Sequence, residues 1–191
     1  MKTLLSRLAT LAVGVALLAV GASGQSSNDA ELTAQLKKLF PSAATFSAKT
    51  GTPAHYKAFG PAAGGKQGEL LGLAYWTTEL EPLERGFDGP IKMLVGLSTE
   101  GKITGVIVTD HREPYGYFSV DLPEWPKQFE GKSVRDAFKV GADVDAISRA
   151  TISVTSASRA IRNSSRKIAR AYLAPPESPP STAAAPAAAA Q

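Results

Sequence analysis

The sequence of 191 residues contains no cysteine and only two histidines, His55 and His111. Without cysteine the chain cannot form disulfides, thiolate metal sites, cysteine-ligated iron–sulfur clusters or a CxxCH haem attachment. Two histidines argue against a histidine-rich metal site, and no nucleophile–histidine–acid triad stands out. The net charge of +4 is too small to indicate a nucleic-acid partner. These absences leave binding and cofactor-dependent functions to consider.

The two ends of the chain differ in composition from its middle. Residues 1–24 follow the pattern of a secretory signal, with Lys2 and Arg7 ahead of the apolar run Leu8–Val20. That run is shorter than the roughly 17–25 residues of a spanning helix. We therefore expect cleavage rather than retention as a membrane anchor, and in both cases an extracytoplasmic or periplasmic location. Residues 174–191 are rich in proline and alanine and are expected to be a disordered spacer.

The middle of the chain predicts an α+β fold, with an antiparallel sheet around a central hairpin, flanking helices and a long C-terminal helix. We divide it into an N-terminal helix and loop region at 25–69 and a main domain at 70–173. The expected elements are a helix at Ala30–Phe40, strands at Leu70–Thr77, Ile91–Leu97 and Lys102–Thr109, short helical pieces at Trp125–Phe129 and Ser133–Phe138, an extended segment at Asp143–Ile152 and a helix at Val154–Leu173.

Hydroxyl side chains are concentrated where the last helix is expected to begin. Six of the eleven residues at 148–158 are serine or threonine. Helix capping accounts for one or two of them. A helix N-terminus preceded by hydroxyl and small residues also suits an anion, because its first N–H groups are free and its dipole end is positive. The pattern favours a phosphate-bearing ligand near Thr151–Ser156, with a plain binding domain and a capped helix as the alternative.

The segment Asp145-Ala-Ile-Ser-Arg-Ala-Thr151 resembles the flavinylation motif of the FMN-binding domain family, whose pattern is Asp-x-x-(Ser/Thr)-Gly-Ala-Thr. That domain occurs in the G-type component of the Rnf complex, in the C-type component of the sodium-translocating quinone reductase and in NosR. Upstream, His111-Arg-Glu113-Pro-Tyr-Gly116 after the hairpin is similar to a second segment of the family. The resemblance covers roughly residues 70–170 and is most similar to the NosR-like branch.

The resemblance implies a covalently bound cofactor. In the family, an ApbE-type flavin transferase moves FMN from FAD onto the last threonine of the motif, here Thr151, and leaves a phosphoester. The matching positions Asp145, Ser148 and Ala150 are then part of the site, Ala150 as the small neighbour that permits close approach. Ser148 and Ser153 are expected to hydrogen-bond the phosphate, which helix N–H groups would stabilise.

Two further features of the resemblance concern the departure at Arg149 and the flavin ring. Arg149 stands where the family has glycine, which implies either an unusual backbone angle or close approach of a ligand. Its guanidinium is able to pair with the phosphate. His111 and Glu113 occupy the loop that faces the flavin in the family, and we expect them to contact the ring.

We therefore expect an exported electron-transfer flavoprotein rather than an enzyme with its own substrate. Its partners would be the flavin transferase and redox proteins of the membrane or periplasm. The alternatives are a redox-sensing or assembly module that uses FMN, and a domain that binds FMN without a covalent bond.

Overall fold

The computed structural model describes residues 23–173, and the predicted secretory signal and proline-rich tail lie outside this range. The elements, in chain order, are α1 (Ser23–Leu39), β1 (Thr45–Phe46), β2 (Tyr56–Phe59), β3 (Leu70–Trp76), α2 (Thr77–Leu80), β4 (Lys92–Ser98), β5 (Ile103–Asp110), a 3₁₀ turn (Gly116–Phe118), α3 (Glu124–Lys127) and α4 (Thr151–Tyr172). Between residues 23 and 173, no helix combines the length and apolar character that crossing a bilayer requires.

The five strands form one antiparallel sheet in the order β1-β2-β3-β4-β5. Each strand therefore pairs with its neighbour in sequence, and the predicted hairpin is its β4–β5 pair. The turn of that hairpin places Gly101 at a φ of 76°, a conformation that glycine adopts without a steric penalty. The α+β class and the antiparallel sheet predicted from the sequence are confirmed.

The sheet is covered on both faces, because alternate residues of a strand point to opposite sides. Leu73 and Val95 point to one side and pack in the core cluster that contains Val154, Ile161 and Ile168 of α4. Residues of the other parity pack against α1 in a second cluster, formed by Leu36, Leu39, Phe40, Ala43, Tyr56, Ala58, Ala74 and Leu94. The result is a three-layer arrangement with the sheet between α1 and α4.

Glycines on the α1 side allow that helix to approach the sheet closely. A Cβ built on Gly72 would lie 2.6 Å from the Phe40 ring, and one on Gly96 would lie 3.1 Å from Leu39. These distances are shorter than ordinary carbon contacts. The two glycines are therefore needed where they are for packing rather than for a turn.

Three local predictions need correction. The region 41–68 contributes β1 and β2 to the sheet and is not only a loop. Ser133–Phe138 is a turn and not a helix, because Asp136 Oδ2 accepts the Ser133 N–H at 2.9 Å and so competes with helical bonding. Asp143–Ile152 is irregular rather than extended, and α4 begins at Thr151, three residues before its predicted start.

Candidate functional site

The motif residues form a sharp turn that leads directly into α4. Arg149 has a φ of 67°, in the left-handed region that disfavours residues with a Cβ. Ala150 follows at the N-cap position and is buried. Thr151 is the first residue of the helix and is exposed. The unusual backbone angle that the family glycine implied at position 149 is therefore present here, although the residue is arginine.

The first turn of α4 leaves backbone donors free next to the Thr151 hydroxyl. The first helical hydrogen bond runs from the Val154 N–H to the Ala150 carbonyl oxygen, at 2.9 Å. The N–H groups of Thr151, Ile152 and Ser153 precede this bond and have no carbonyl of the helix to reach. Ala150 supplies no side-chain cap. The free donors and the positive end of the helix dipole suit a phosphate at this position.

A partly open pocket of about 250 Å³ lies beside this helix start. Its lining is largely apolar and comes from three separate segments of the chain. The lining residues are Phe87, Pro114, Tyr115, Arg149, Ala150, Thr151, Ile152 and Ser153. Its volume is below the roughly 300–1,000 Å³ of pockets that enclose a drug-sized ligand. The pocket is therefore able to hold one part of a flat aromatic group while the rest stays accessible.

Glu113 holds the three segments of the pocket together. Its buried carboxylate accepts the Phe87 N–H at 3.0 Å and the Asp88 N–H at 3.1 Å. It also accepts the hydroxyl of Ser153, which lies one helical step past Ile152. Gly86 runs so close to this carboxylate that an added Cβ would lie 2.3 Å from Oε1. Glu113 thus fixes Phe87 and Ser153 from behind the pocket wall.

His111 orders the loop on which Glu113 lies. Its Nε2 is 2.7 Å from Asp121 Oδ1, and its Nδ1 is 3.0 Å from the Glu113 nitrogen. A backbone N–H can only donate, so Nδ1 accepts and Nε2 carries the proton toward Asp121. Gly116 packs against this ring, since its Cβ would lie 2.1 Å from His111 Cε1. His111 therefore has both ring nitrogens engaged within the protein.

A second carboxylate ties the loop between α2 and β4 to α4. Glu84 accepts hydrogen bonds from Arg159 Nε at 2.8 Å and from the Ser156 hydroxyl at 3.0 Å. The Arg159 hydrogen bond is the main cause that lowers the pKa of Glu84 from its ordinary value, against the opposing effect of burial. This contact holds the chain three residues before Phe87. The acidic loop is therefore engaged with the helix at Glu84 and is not simply solvated there.

The structure brings part of the predicted site together. Arg149, Ala150, Thr151 and Ser153 all line the pocket. Asp145 and Ser148 are exposed outside its lining, and the Asp145 N–H donates to Gln128 Oε1 at 2.7 Å. His111 and Glu113 lie behind the pocket rather than in its lining.

Sequence analysis missed three lining residues, Phe87, Pro114 and Ile152. Phe87 had a signal, because a large apolar residue in a polar glycine-containing loop is unusual. Ile152 had a weaker one, as an apolar residue that interrupts the hydroxyl run. Their position next to Thr151 depends on contacts between distant segments, which the linear pattern does not contain.

These residues fit the two halves of FMN. Thr151, the free N–H groups and the exposed Arg149 offer a hydroxyl, hydrogen-bond donors and a positive charge to a phosphate. Phe87, Tyr115 and Ile152 offer an apolar surface to an aromatic ring. The fold and the site thus define a cofactor-binding α+β domain.

Comparison with known proteins names the class. Residues 86–166 match the family described as FMN-binding domain, and this segment belongs to that family. The G-type component of an ion-translocating oxidoreductase complex from Shewanella baltica (strain OS223) is 35% identical over 88 residues, which make up 41% of this chain and 42% of the relative. Proteins of the same name from Vibrio parahaemolyticus and Vibrio vulnificus are 33% and 31% identical over matches of the same extent.

The chain spans about two-fifths of the length of these curated relatives, at 42% of each. The match covers the hairpin, the pocket and most of α4. All three relatives are named as the G-type component of that complex, so they support a member of the family that is similar to this component. They give no support to the finer expectation of a NosR-like branch.

Proposed function

We propose that this protein carries FMN bound through a phosphoester to Thr151 and passes electrons between redox partners outside the cytoplasm. The observation that carries the proposal is the exposed Thr151 hydroxyl, presented at the free N-terminus of α4 beside a largely apolar pocket. FMN, when bound, supplies one- and two-electron redox chemistry, and the protein supplies its binding and orientation. The names of the relatives, as components of an oxidoreductase complex, support a role in a redox complex.

The attachment reaction requires a hydroxyl that a second enzyme can reach. The Thr151 oxygen attacks the FMN phosphorus of FAD, the pyrophosphate bond breaks, AMP leaves and the hydroxyl proton is released. Because Thr151 is exposed and Ala150 is small, a flavin transferase can approach this oxygen from solvent. The free N–H groups of the first helical turn would then stabilise the phosphate charge.

The test is co-expression with a flavin transferase and measurement of intact mass. The wild-type protein should gain the mass of FMN less one water and fluoresce in a denaturing gel, and it should be reversibly reduced and reoxidised. Thr151→Ala should abolish the label because the attacking oxygen is gone. Thr151→Ser keeps a hydroxyl at the same position and is the matched control, which should still be labelled.

The outcomes separate the candidate functions. Loss of the label in Thr151→Ala, with the label retained in Thr151→Ser, supports the phosphoester. FMN that copurifies but leaves on denaturation would replace it with non-covalent binding. An unlabelled, colourless wild type from a host able to attach flavin would contradict the proposal.

The second candidate function is a redox-sensing or assembly module. The observation that favours it is the Glu113 network, because it connects the pocket to the loop between α2 and β4. A change at the cofactor could therefore alter a surface loop. Hydrogen exchange of that loop that differs between the oxidised and reduced forms would favour this function over electron transfer alone.

A further inference from the structure

Large apolar side chains are exposed around the pocket and beyond its lining. Leu83 is 92% exposed and Tyr117 is 70% exposed, and neither lines the pocket. Phe87, which does line it, is 66% exposed. Leu83 and Phe87 lie on the loop between α2 and β4, while Tyr117 stacks edge-to-face on Phe118 in the loop after β5. We call the surface formed by these two loops the site face.

The cations of the site face lack acidic partners. Arg85 and Arg112 are exposed and take part in no ion pair within the described residues, and the same holds for Arg149 beside the pocket. Elsewhere on α4, in contrast, Arg159 and Lys167 are paired with glutamates. The site face therefore carries uncompensated positive charge around an apolar centre.

The acids of the same two loops do not cancel that charge. Glu81, Glu84 and Asp121 are already paired, and Glu113 is buried in its hydrogen-bond network. Asp88 is the remaining carboxylate of these loops. Its backbone oxygen accepts a hydrogen bond from Arg112 at 3.3 Å, which leaves the guanidinium charge in place.

We propose that the site face docks a redox protein whose contact surface has an apolar centre and a rim of carboxylates. The proposal rests on the proposed function, since it names the class of partner that would exchange electrons at the Thr151 site. Interfaces of transient redox complexes are small, and complementary charge raises their association rates. Leu83 and Tyr117 would supply the apolar contact, and Arg85 and Arg112 would supply the charge.

An acidic protein suits this face better than an anionic membrane. The pocket opens between the two loops, and a partner must bring its own redox centre close to that opening for electrons to pass. A protein can present such a centre within its apolar contact patch, whereas a phospholipid surface offers charge alone. The membrane is kept as an outcome of the test.

The experiment uses the flavin-loaded protein and a reduced plant-type [2Fe–2S] ferredoxin, a small acidic protein, as the probe. Stopped-flow absorbance measures the rate at which the ferredoxin reduces the flavin at low and high salt. The double variant Arg85→Glu/Arg112→Glu should slow this reaction at least about tenfold at low salt and remove most of its salt dependence. Leu83→Ser/Tyr117→Ser should slow it at high salt, where steering is screened.

The matched control is Arg135→Glu. Arg135 is exposed and lines a separate cleft together with Arg170, near the C-terminal end of α4. Arg170 is 19 residues along α4 from Thr151, about 28 Å at 1.5 Å per residue. Arg135→Glu should change the rate by less than about twofold, because it alters net charge but not the site face.

FMN content separates failure of this proposal from failure of the proposed function. If the protein binds no FMN, the function fails, and ferredoxin binding to the unloaded protein, measured by calorimetry, still tests the docking face. If FMN loads fully and the Arg85→Glu/Arg112→Glu variant reacts like wild type, the docking proposal is overturned. It is also overturned if Arg135→Glu slows the reaction equally, or if the two arginines affect only cosedimentation with phosphatidylglycerol vesicles.

Discussion

Arg149 shows how one side chain can occupy a conformation that suits another residue. A left-handed backbone costs a residue with a Cβ about 1–2 kcal/mol, and glycine avoids this at an entropic cost of about 0.5–1 kcal/mol. Arg149→Gly should therefore raise the free energy of unfolding by about 0.5–1 kcal/mol. Chemical denaturation of the unloaded protein measures this change.

The control is Arg149→Ala, which removes the guanidinium and keeps the strained angle. It should give no comparable gain in stability. Equal stability of the glycine and alanine variants would show that the backbone angle at this position carries no cost. The family glycine allowed this angle to be expected from sequence, which composition and periodicity alone do not reveal.

Glu113 is the residue on which the pocket wall depends. Both of its carboxylate oxygens accept backbone N–H groups. A glutamine amide has one acceptor oxygen, so Glu113→Gln leaves one of these donors facing an NH₂ group. Unfolding stability should fall by about 1–3 kcal/mol, the cost of an unsatisfied buried group, and the Phe87 and Asp88 amides should exchange hydrogen faster.

The exposed acid Glu130 offers a matched substitution. Glu130→Gln should change stability by less than about 0.5 kcal/mol, as most surface substitutions do. If both variants behave alike, the Glu113 network does not hold the pocket. The sequence drew attention to Glu113 but predicted contact with the ring, whereas the structure places its carboxylate behind Ser153 and Phe87.

At the scale of elements, the loop between α2 and β4 depends on α4 through Glu84. Arg159, and then Ser156, lower the pKa of this carboxyl. A lowered pKa in the folded state means that the contact stabilises the protein above the ordinary glutamate value of 4.5 and loses this effect as the pH falls through the folded pKa. The window of pH dependence therefore lies below 4.5.

Glu84→Gln should be less stable than wild type at neutral pH, and the difference should shrink as the pH falls below 4.5. Denaturation curves across this range measure it. Glu100→Gln, at the exposed hairpin turn, is the control and should show no such pH-dependent difference. A Glu84→Gln deficit that stays constant into acid would mean that the ion pair does not anchor the loop.

Regular elements with strong periodicity were predictable, and those set by distant contacts were not. The hairpin β4–β5, the strand β3 and most of α4 follow from alternating or helical apolar spacing. β1 and β2 are short and lie in a stretch rich in glycine and alanine, so their strand pairing with β3 provides the order. The early start of α4 depends on the turn at Arg149 rather than on apolar spacing.

At the scale of the whole molecule, three loops and one helix end meet at one corner of the sheet. The hairpin brings the loop after β5 to that corner, the loop before β4 reaches it through Glu84 and Glu113, and α4 begins there. The sequence motifs indicate which residues matter, while the fold decides which of them line the pocket. Phe87 belongs to this corner only because Glu113 and α4 hold its loop.

The central claim is that FMN is esterified to the oxygen of Thr151, and peptide mapping tests it most directly. Trypsin cuts after Arg149 and Arg159, which releases a short peptide, Ala150–Arg159, that contains five hydroxyl residues. After co-expression with a flavin transferase, fragmentation of this peptide should place the added mass of FMN less one water on Thr151. Flavin on Ser153 or Thr155, or a fully unmodified peptide, would contradict the account.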